Sequence, residues 1–487
     1  MQFVCSAMLI CGIFCKLHFV RRVAFALPIK FLFNITESGG EIMPNKQTSQ
    51  YRDITFDDGF SLEKMALDLR ELSEFTARRV INREDVIEQA MYAFLTGEHL
   101  LLQSRTGSGK SLLAEQLFAM FEGARTFRVQ ASKEQQPDTY FGGLNIELFK
   151  TGKIAHNTEG SLVESEFGFI DEIFDANDFT LRALLSLLNE RKLVRGSQNV
   201  ESSIHTVVAA TNYLRVSEVT EAILDRFLYK SVILPDKDPL VQFKITAQYS
   251  QFSGRVTPPP KRIPYSRLKK LRDMITGLDA GLNFAMSAET LYFINLVIRH
   301  YEYSRNRALR EHHRNEATAQ YADFYISPRS QAKALDLLRA LTFMSGRTLA
   351  TPDDAEKLYL IFATVGMPDE VQMFRRSFDV IRRSLTAGNG FEQIRILLAY
   401  ETLLSQIEKD HTILQKPLEN TLSTTQLRRT LLEWVKEKIA GLDQTVFHNK
   451  RVLESFIREL VPVCDEVREL KLALEKETTR LFQMIEN

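Results

Sequence analysis

Residues 100–113 read LLLQSRTGSGKSLL, and this stretch constrains the fold more than any other in the chain. Leu100, Leu101 and Leu102 follow one another without a polar interruption, as in a strand buried on both faces. Thr106, Gly107, Ser108 and Gly109 form a glycine-punctuated loop, and Lys110 and Ser111 open an amphipathic helix. Strand, loop and helix in that order start an α/β unit. The same layout makes an anion cradle. Glycines at 107 and 109 let backbone N–H groups curl around an oxyanion. The helix turns the positive end of its dipole toward it. Lys110 can reach terminal phosphates as a point charge, and the Ser111 hydroxyl suits Mg²⁺. In the pattern G-x-x-x-x-G-K-[ST] the first glycine is replaced by Ser104. A Gly/Ser turn entering an ordinary helix would use similar letters, so the rest of the chain must arbitrate.

The chain has 487 residues, enough for about two or three domains. With 44% apolar and 25% charged residues it is of the globular type. Lys+Arg and Asp+Glu both number 62, so the net charge is zero, unlike the basic excess of a duplex-DNA binder. Of the cysteines, Cys5, Cys11 and Cys15 crowd the start and Cys464 stands alone. No disulfide framework or zinc spacing follows from them, which fits a reducing compartment and a cytoplasmic location. Phe3–Cys15 and Val23–Phe33 are apolar but too short to span a bilayer, and no basic residue precedes the first run. Residues 1–42 are therefore read as a dispensable leader or a mis-assigned start, with Met43 as the expected initiator and no stable membrane insertion; a membrane-targeting segment is the alternative.

Apolar spacing predicts helices at Leu62–Arg79 and from Asn82 to Gly97, the second feeding the Leu100 strand. Beyond the loop, Leu112–Phe121 reads as a helix and Thr126–Gln130 as a strand. LNIELF and KIAHNT, around Thr151–Gly152, read as a hairpin. Phe167–Ile170 is a strand running into Asp171 and Glu172, and Phe179–Leu188 a helix. The RGSQN turn suggests a second hairpin, before a buried strand that stops at Thr211 and Asn212. Alternating short strands and helices imply a mainly parallel sheet covered on both faces. After Pro235 and the stiff Thr257–Pro264 linker the pattern is helical only: Leu268–Ile275, Ala288–Arg305, Ser330–Ser345 and Pro352–Val365. Arg305–Phe324 reads as a polar loop, its His312–His313 pair as solvated surface. Phe391–Ile407, Leu427–Ile439 and Val452–Ile485 are further helices, with Cys464 in a core position.

Candidate chemistry follows the loop in order. Asp171, at a strand end, can hold Mg²⁺, and Glu172 beside it can polarise an attacking water. Asn212 ends the next strand, where an amide can orient that water or touch a γ-phosphate. Arg226 in ILDRF sits on a surface turn and could serve a neighbouring subunit's nucleotide. Arg329 in SPRS opens a lid helix and could touch the nucleotide from above. Each arginine alone could equally be a surface salt bridge.

Taken together, INREDVIEQAM, RTGSGKS, FGFIDEI, LLSLLNERKLVRG, VVAATN, EAILDRF and SPRS resemble the AAA+ ATPase superfamily, specifically its MoxR branch, over about Val80 to Val365. FMSGRTLATPDDA (Phe343–Ala355) is similar to the lid of the RavA-type members. The resemblance implies Walker A at Ser104–Ser111, with Ser104, Arg105, Thr106, Gly107, Ser108, Gly109, Lys110 and Ser111 around the phosphates. It implies Walker B at Phe167–Glu172, with Ser111 and Asp171 on Mg²⁺ and Glu172 catalytic. It makes Asn212 sensor 1, Arg226 the arginine finger and Arg329 sensor 2. It implies an α/β fold: an AAA+ P-loop parallel sheet core with helices on both faces (43–235) and an all-α lid (236–366); the C-terminal extension (367–487), helical by its own apolar spacing, carries no motif of the family, and there the resemblance stops. It further implies ATP and Mg²⁺ as cofactors and a ring, usually hexameric, with nucleotide between protomers. The implied work is chaperone-like remodelling or maturation of protein complexes, with a von Willebrand factor A domain partner. A P-loop phosphotransferase and a nucleic-acid-associated NTPase are the alternatives. The finger-like Arg226 disfavours the first and the neutral charge the second; no nucleic acid is expected.

Overall fold

A computed structural model describes residues 55–56, 58–151, 156–195, 198–214, 218–279, 284–312, 323–415 and 446–486. The leader 1–42, His313 and the expected helix Leu427–Ile439 lie outside the described residues.

Five strands make one parallel sheet: β1 (Leu100–Ser104), β2 (Thr126–Gln130), β3 (Phe167–Asp171), β4 (Thr206–Thr211) and β5 (Tyr229–Ile233), in spatial order β2-β3-β4-β1-β5. The period-2 alternation of a strand divides their side chains between two cores. Leu100, Leu102, Phe167, Phe169, Val208 and Ala210 face one. Leu101, Ile170, Val207 and Ala209 face the other. Every residue of β4 is buried, as a central strand covered on both sides must be. Gly168 suits this packing: a Cβ there would stand 2.7 Å from Leu162 Cδ1, and that side chain would have to shift.

The first core is closed by α1 (Leu62–Arg79), α2 (Glu84–Thr96) and α3 (Lys110–Phe118), the second by α4 (Asp178–Glu190) and α5 (Glu218–Arg226). Then α6 (Pro239–Phe252) leads to the lid helices α7 (Tyr265–Thr276), α8 (Ala288–His312) and α9 (Pro328–Met344). These share the first core with α2, so the lid lies against a face of the sheet. The same core runs on into α10 (Pro368–Thr386), α11 (Gly390–Lys409), α12 (Val446–Glu459) and α13 (Asp465–Glu486). Within this extension Tyr400 is buried, and its hydroxyl meets Leu453 O at 3.1 Å and Thr478 Oγ1 at 3.0 Å. Cys464 is half-buried against this core and burial pushes its thiol pKa up.

The β5 edge is tied to the segment before α10. Val232 N–H donates to Val365 O at 2.7 Å and Val365 N–H to Lys230 O at 3.0 Å. Gly366 allows this approach: its φ is +87°, and a Cβ would fall 1.9 Å from Val232 O.

Several local expectations are corrected. Among the described residues, the 138–162 region holds short helices, Asp138–Phe141 and Ile146–Lys150, and an antiparallel bridge between Leu144 and His156, so LNIELF is largely helical where a strand was expected. LNIELF can satisfy its backbone within one helical turn, and its apolar spacing does not discriminate over so short a run. The second hairpin pairs Lys192–Arg195 with Gln198–Glu201, ahead of β4. Arg305 to His312 continues α8, where polar residues suit a solvent-facing helix. Val452–Ile485 is two helices, α12 and α13, because Pro462 cannot continue the first.

Candidate nucleotide site

Parallel register brings the functional positions to one edge. Gln103 pairs with Thr211 and Ile170 with Ala209, so the ends of β1, β3 and β4 lie level. Ligands of open parallel sheets bind outside such strand ends. The loop after β1 is exposed at Arg105, Thr106, Gly107 and Gly109, and Ser111 is exposed at the start of α3. Gly107 and Gly109 have φ of +79° and +82° with open space where a Cβ would be. They are needed for backbone conformation, which turns successive N–H groups into a concave anion nest.

Ser104 is not a defect in this loop. It ends β1 in extended backbone, and the positive-φ positions are Gly107 and Gly109. Its buried hydroxyl meets the Ser108 hydroxyl at 2.6 Å and so ties the loop's entrance to its crown.

Lys110 is 7% exposed, and its ammonium bridges the ends of β3 and β4. It lies 3.0 Å from Glu172 Oε1, 2.6 Å from Asn212 Oδ1 and 3.9 Å from Asp171 Oδ1. Asn212 N–H donates to Glu172 Oε2 at 2.9 Å, and Asn212 Nδ2 donates to Thr106 Oγ1 at 3.1 Å. Asp171 Oδ1 accepts from Glu172 N–H at 3.1 Å. Glu172 holds φ +50° and ψ +46°, a conformation uncommon outside glycine and kept here by bonds from both sides. Two carboxylates around one ammonium leave a surplus negative charge beside an anion nest. That donor set, with the exposed Ser111 hydroxyl, fits a divalent cation carried in with a phosphate chain.

The two arginines are placed elsewhere. Arg226 ends α5, where its Nη1 donates to Asp225 Oδ2 at 2.8 Å. It lines a cleft of about 700 Å³ between β5, α5 and the lid. Arg329, in the first turn of α9, donates to Asn189 Oδ1 at 2.7 Å. It lies near the sheet's opposite edge, where it is felt by His99 and Arg191. Neither arginine is bonded to the Lys110 cluster of its own chain. Sequence reading passed over their partners, Asp225, Asn189 and Ser327. Ser327-Pro328 was legible as a helix N-cap with proline at N1; its meeting with Asp225 was not.

That opposite edge is densely buried. His99 Nδ1 accepts from Val207 N–H at 3.0 Å, and burial holds its pKa well below the ordinary value. His205 Nε2 donates to Phe94 O at 2.7 Å, and burial lowers its pKa to about 3. Burial also lowers Arg191 to about 10. Lys333 of α9 reaches Glu98 at 2.9 Å and Asp336 at 3.3 Å, anchoring the lid beneath β1.

A parallel sheet of order β2-β3-β4-β1-β5, with a glycine loop after β1 and acids after β3, defines the AAA+ P-loop class. Residues 67–248 match the family model of the MoxR domain in MoxR–vWA–β-propeller ternary systems. The chain is 26% identical over 298 residues to an uncharacterized protein of Methanocaldococcus jannaschii, covering 60% of this chain and 70% of that one. It is 25% identical over 294 residues to Chaperone MoxR1 of Mycobacterium tuberculosis, covering 58% and 71%. Its fold is similar to the crystal structure of a proposed ATPase from Cytophaga hutchinsonii, with TM-score 0.50 and 18% identity, covering 66% of this chain and 95% of that one. Residues 67–248 are thus similar to the MoxR domain family, on a fold of the AAA+ type. These matches do not single out the RavA-like branch suggested by Phe343–Ala355. Among the described residues, no helix is long and apolar enough to cross a membrane.

Proposed function

We propose that this chain binds and hydrolyses ATP with Mg²⁺ at interfaces between copies of itself in a ring, and uses the cycle to remodel protein complexes. The observation that carries the reading is the convergence of Lys110, Glu172, Asn212 and Asp171 at one sheet edge, beside an exposed glycine loop. In it the loop and Lys110 hold the phosphates, and Lys110 moves from Glu172 toward the γ-phosphate as ATP arrives. Glu172, freed from that ammonium and still fixed by Asn212 N–H, takes a proton from the attacking water. Asn212 keeps the water and the phosphate in line. Ser111 and Asp171 would hold Mg²⁺, which when bound neutralises charge on the phosphate oxygens.

Arg226 and Arg329 are turned away from the Lys110 cluster of their own chain, which supports a site completed by a neighbour. The family description, with a von Willebrand factor A protein beside the MoxR domain, supports such a protein as partner. The 367–487 extension is proposed as its docking element, and a cytoplasmic location fits the reading. The test is ATP turnover together with light scattering on a sizing column, with and without a slowly hydrolysed analogue. Turnover with nucleotide-promoted assembly is expected. A persistent monomer with an acceptor-dependent reaction would replace this reading with phosphotransfer.

A further inference from the structure

Arg226 does not stand alone at the end of α5. The carboxylate beside it is shared between two parts of the chain: Asp225 Oδ2 accepts from Arg226 Nη1 at 2.8 Å, and Asp225 Oδ1 accepts from the Ser327 hydroxyl at 3.1 Å. Ser327 is the N-cap of α9 and accepts from Ser330 N–H at 3.2 Å. Two other acids around the cleft, Glu370 and Asp323, are committed elsewhere. Glu370 is held by Arg305 at 2.8 Å and by Thr364 N–H at 3.0 Å, and Asp323 by Arg310 at 2.8 Å. A guanidinium held by one nitrogen keeps its remaining donors for an external anion. Arg226 Nε is itself buried with no partner in this arrangement, so a further acceptor for this arginine is wanting.

We infer that Asp225 is a positioning residue that aims Arg226, and that its bond to the Ser327 hydroxyl makes that aim depend on the lid. The inference rests on the proposed role of Arg226 toward a neighbour's nucleotide. A lid that shifts in one protomer moves Ser327, hence the Asp225 carboxylate, hence the arginine offered to the next protomer. The chain thereby holds a short covalent and hydrogen-bonded route from its lid to an adjacent active site.

The test uses the full chain under conditions of nucleotide-promoted assembly. Asp225→Asn keeps an acceptor for Ser327 and removes the ionic hold on Arg226. It is expected to lower kcat about tenfold while leaving KM for ATP within about twofold, because the arginine acts on the transition state. Ser327→Asp retains a good N-cap but loses the donor and sets a second carboxylate against Asp225, so it should give the same split. Ser327→Thr keeps both functions and should restore turnover. Mixing Asp225→Asn with Lys110→Ala subunits pairs an intact site with an intact arginine, and turnover per intact site should recover. Wild-type kcat in Asp225→Asn, or a lowered kcat that mixing does not restore, would overturn the inference. Arg226→Ala reads the underlying proposal separately: full turnover in that variant removes the arginine's role itself. An inactive Arg226→Ala beside a normal Asp225→Asn removes only the positioning role.

Discussion

Asn212 holds Glu172 by the main chain and Lys110 by the side chain. Its N–H lies 2.9 Å from Glu172 Oε2 and its Oδ1 2.6 Å from the ammonium. One residue at the end of β4 thereby sets the spacing between the expected general base and the expected phosphate-binding cation. Replacing it with alanine leaves the N–H in place and removes the hold on Lys110 and Thr106. Turnover should fall by about 10²-fold, with ATP still bound, as measured by steady-state kinetics and nucleotide titration.

Glu172→Gln preserves size and the acceptor for Asn212 N–H but cannot take a proton. ATP affinity should be kept within a few-fold while kcat falls by about 10²–10⁴. Single-turnover measurement with prebound ATP separates the two steps. Ordinary turnover in this variant would remove Glu172 from the catalytic role.

Lys110→Ala should abolish the stabilisation that ATP gives. At a ligand concentration of about 100 Kd, wild-type chain gains ~2.7 kcal/mol by linkage, seen as a higher thermal midpoint. The variant should show no shift at the same concentration, while its ligand-free midpoint still reports a folded chain. A shift of wild-type size would argue against Lys110 as the phosphate ligand.

Gly366→Ala places a methyl group 1.9 Å from Val232 O at a φ of +87°. The chain must part from β5 to admit it. A loss of about 3 kcal/mol in urea unfolding is expected, larger than at an exposed loop glycine. Gly59→Ala, with open space at φ +75°, is the control and should cost about 1 kcal/mol.

Acid should destabilise the chain through His205 and His99. Both are buried neutral, with pKa values lowered from 6.5, to about 3 for His205. The unfolded chain takes up these protons first as pH falls below 6.5, so the stability is whole above 6.5 and is lost progressively toward 3. At pH 5 the loss is about 2 kcal/mol for His205, from ~1.4 kcal/mol per pH unit. Urea midpoints at pH 7.5 and 5 measure it, and His205→Gln should flatten the slope.

Strands β1 to β4, the glycine loop, the acids after β3 and the asparagine after β4 were legible in the sequence, because each depends on local features: uninterrupted apolar runs, glycines at positive φ, and polar residues where a strand stops; β5, interrupted by Lys230 and Ser231, was not read. The replacement of a glycine by Ser104 became intelligible only in three dimensions, through the Ser108 hydroxyl four residues on. The segment 138–162 was misread because short apolar runs fit a strand or a helical turn equally. The location of Arg329 beside Asn189, and the sharing of Asp225 between Arg226 and Ser327, were decided by tertiary structure alone. They depend on how the lid packs against the sheet, a contact between residues more than a hundred positions apart that no local pattern encodes. The sequence by itself thus determined what chemistry the sheet edge can hold. The tertiary structure determined that neither Arg226 nor Arg329 is bonded to that edge within its own chain.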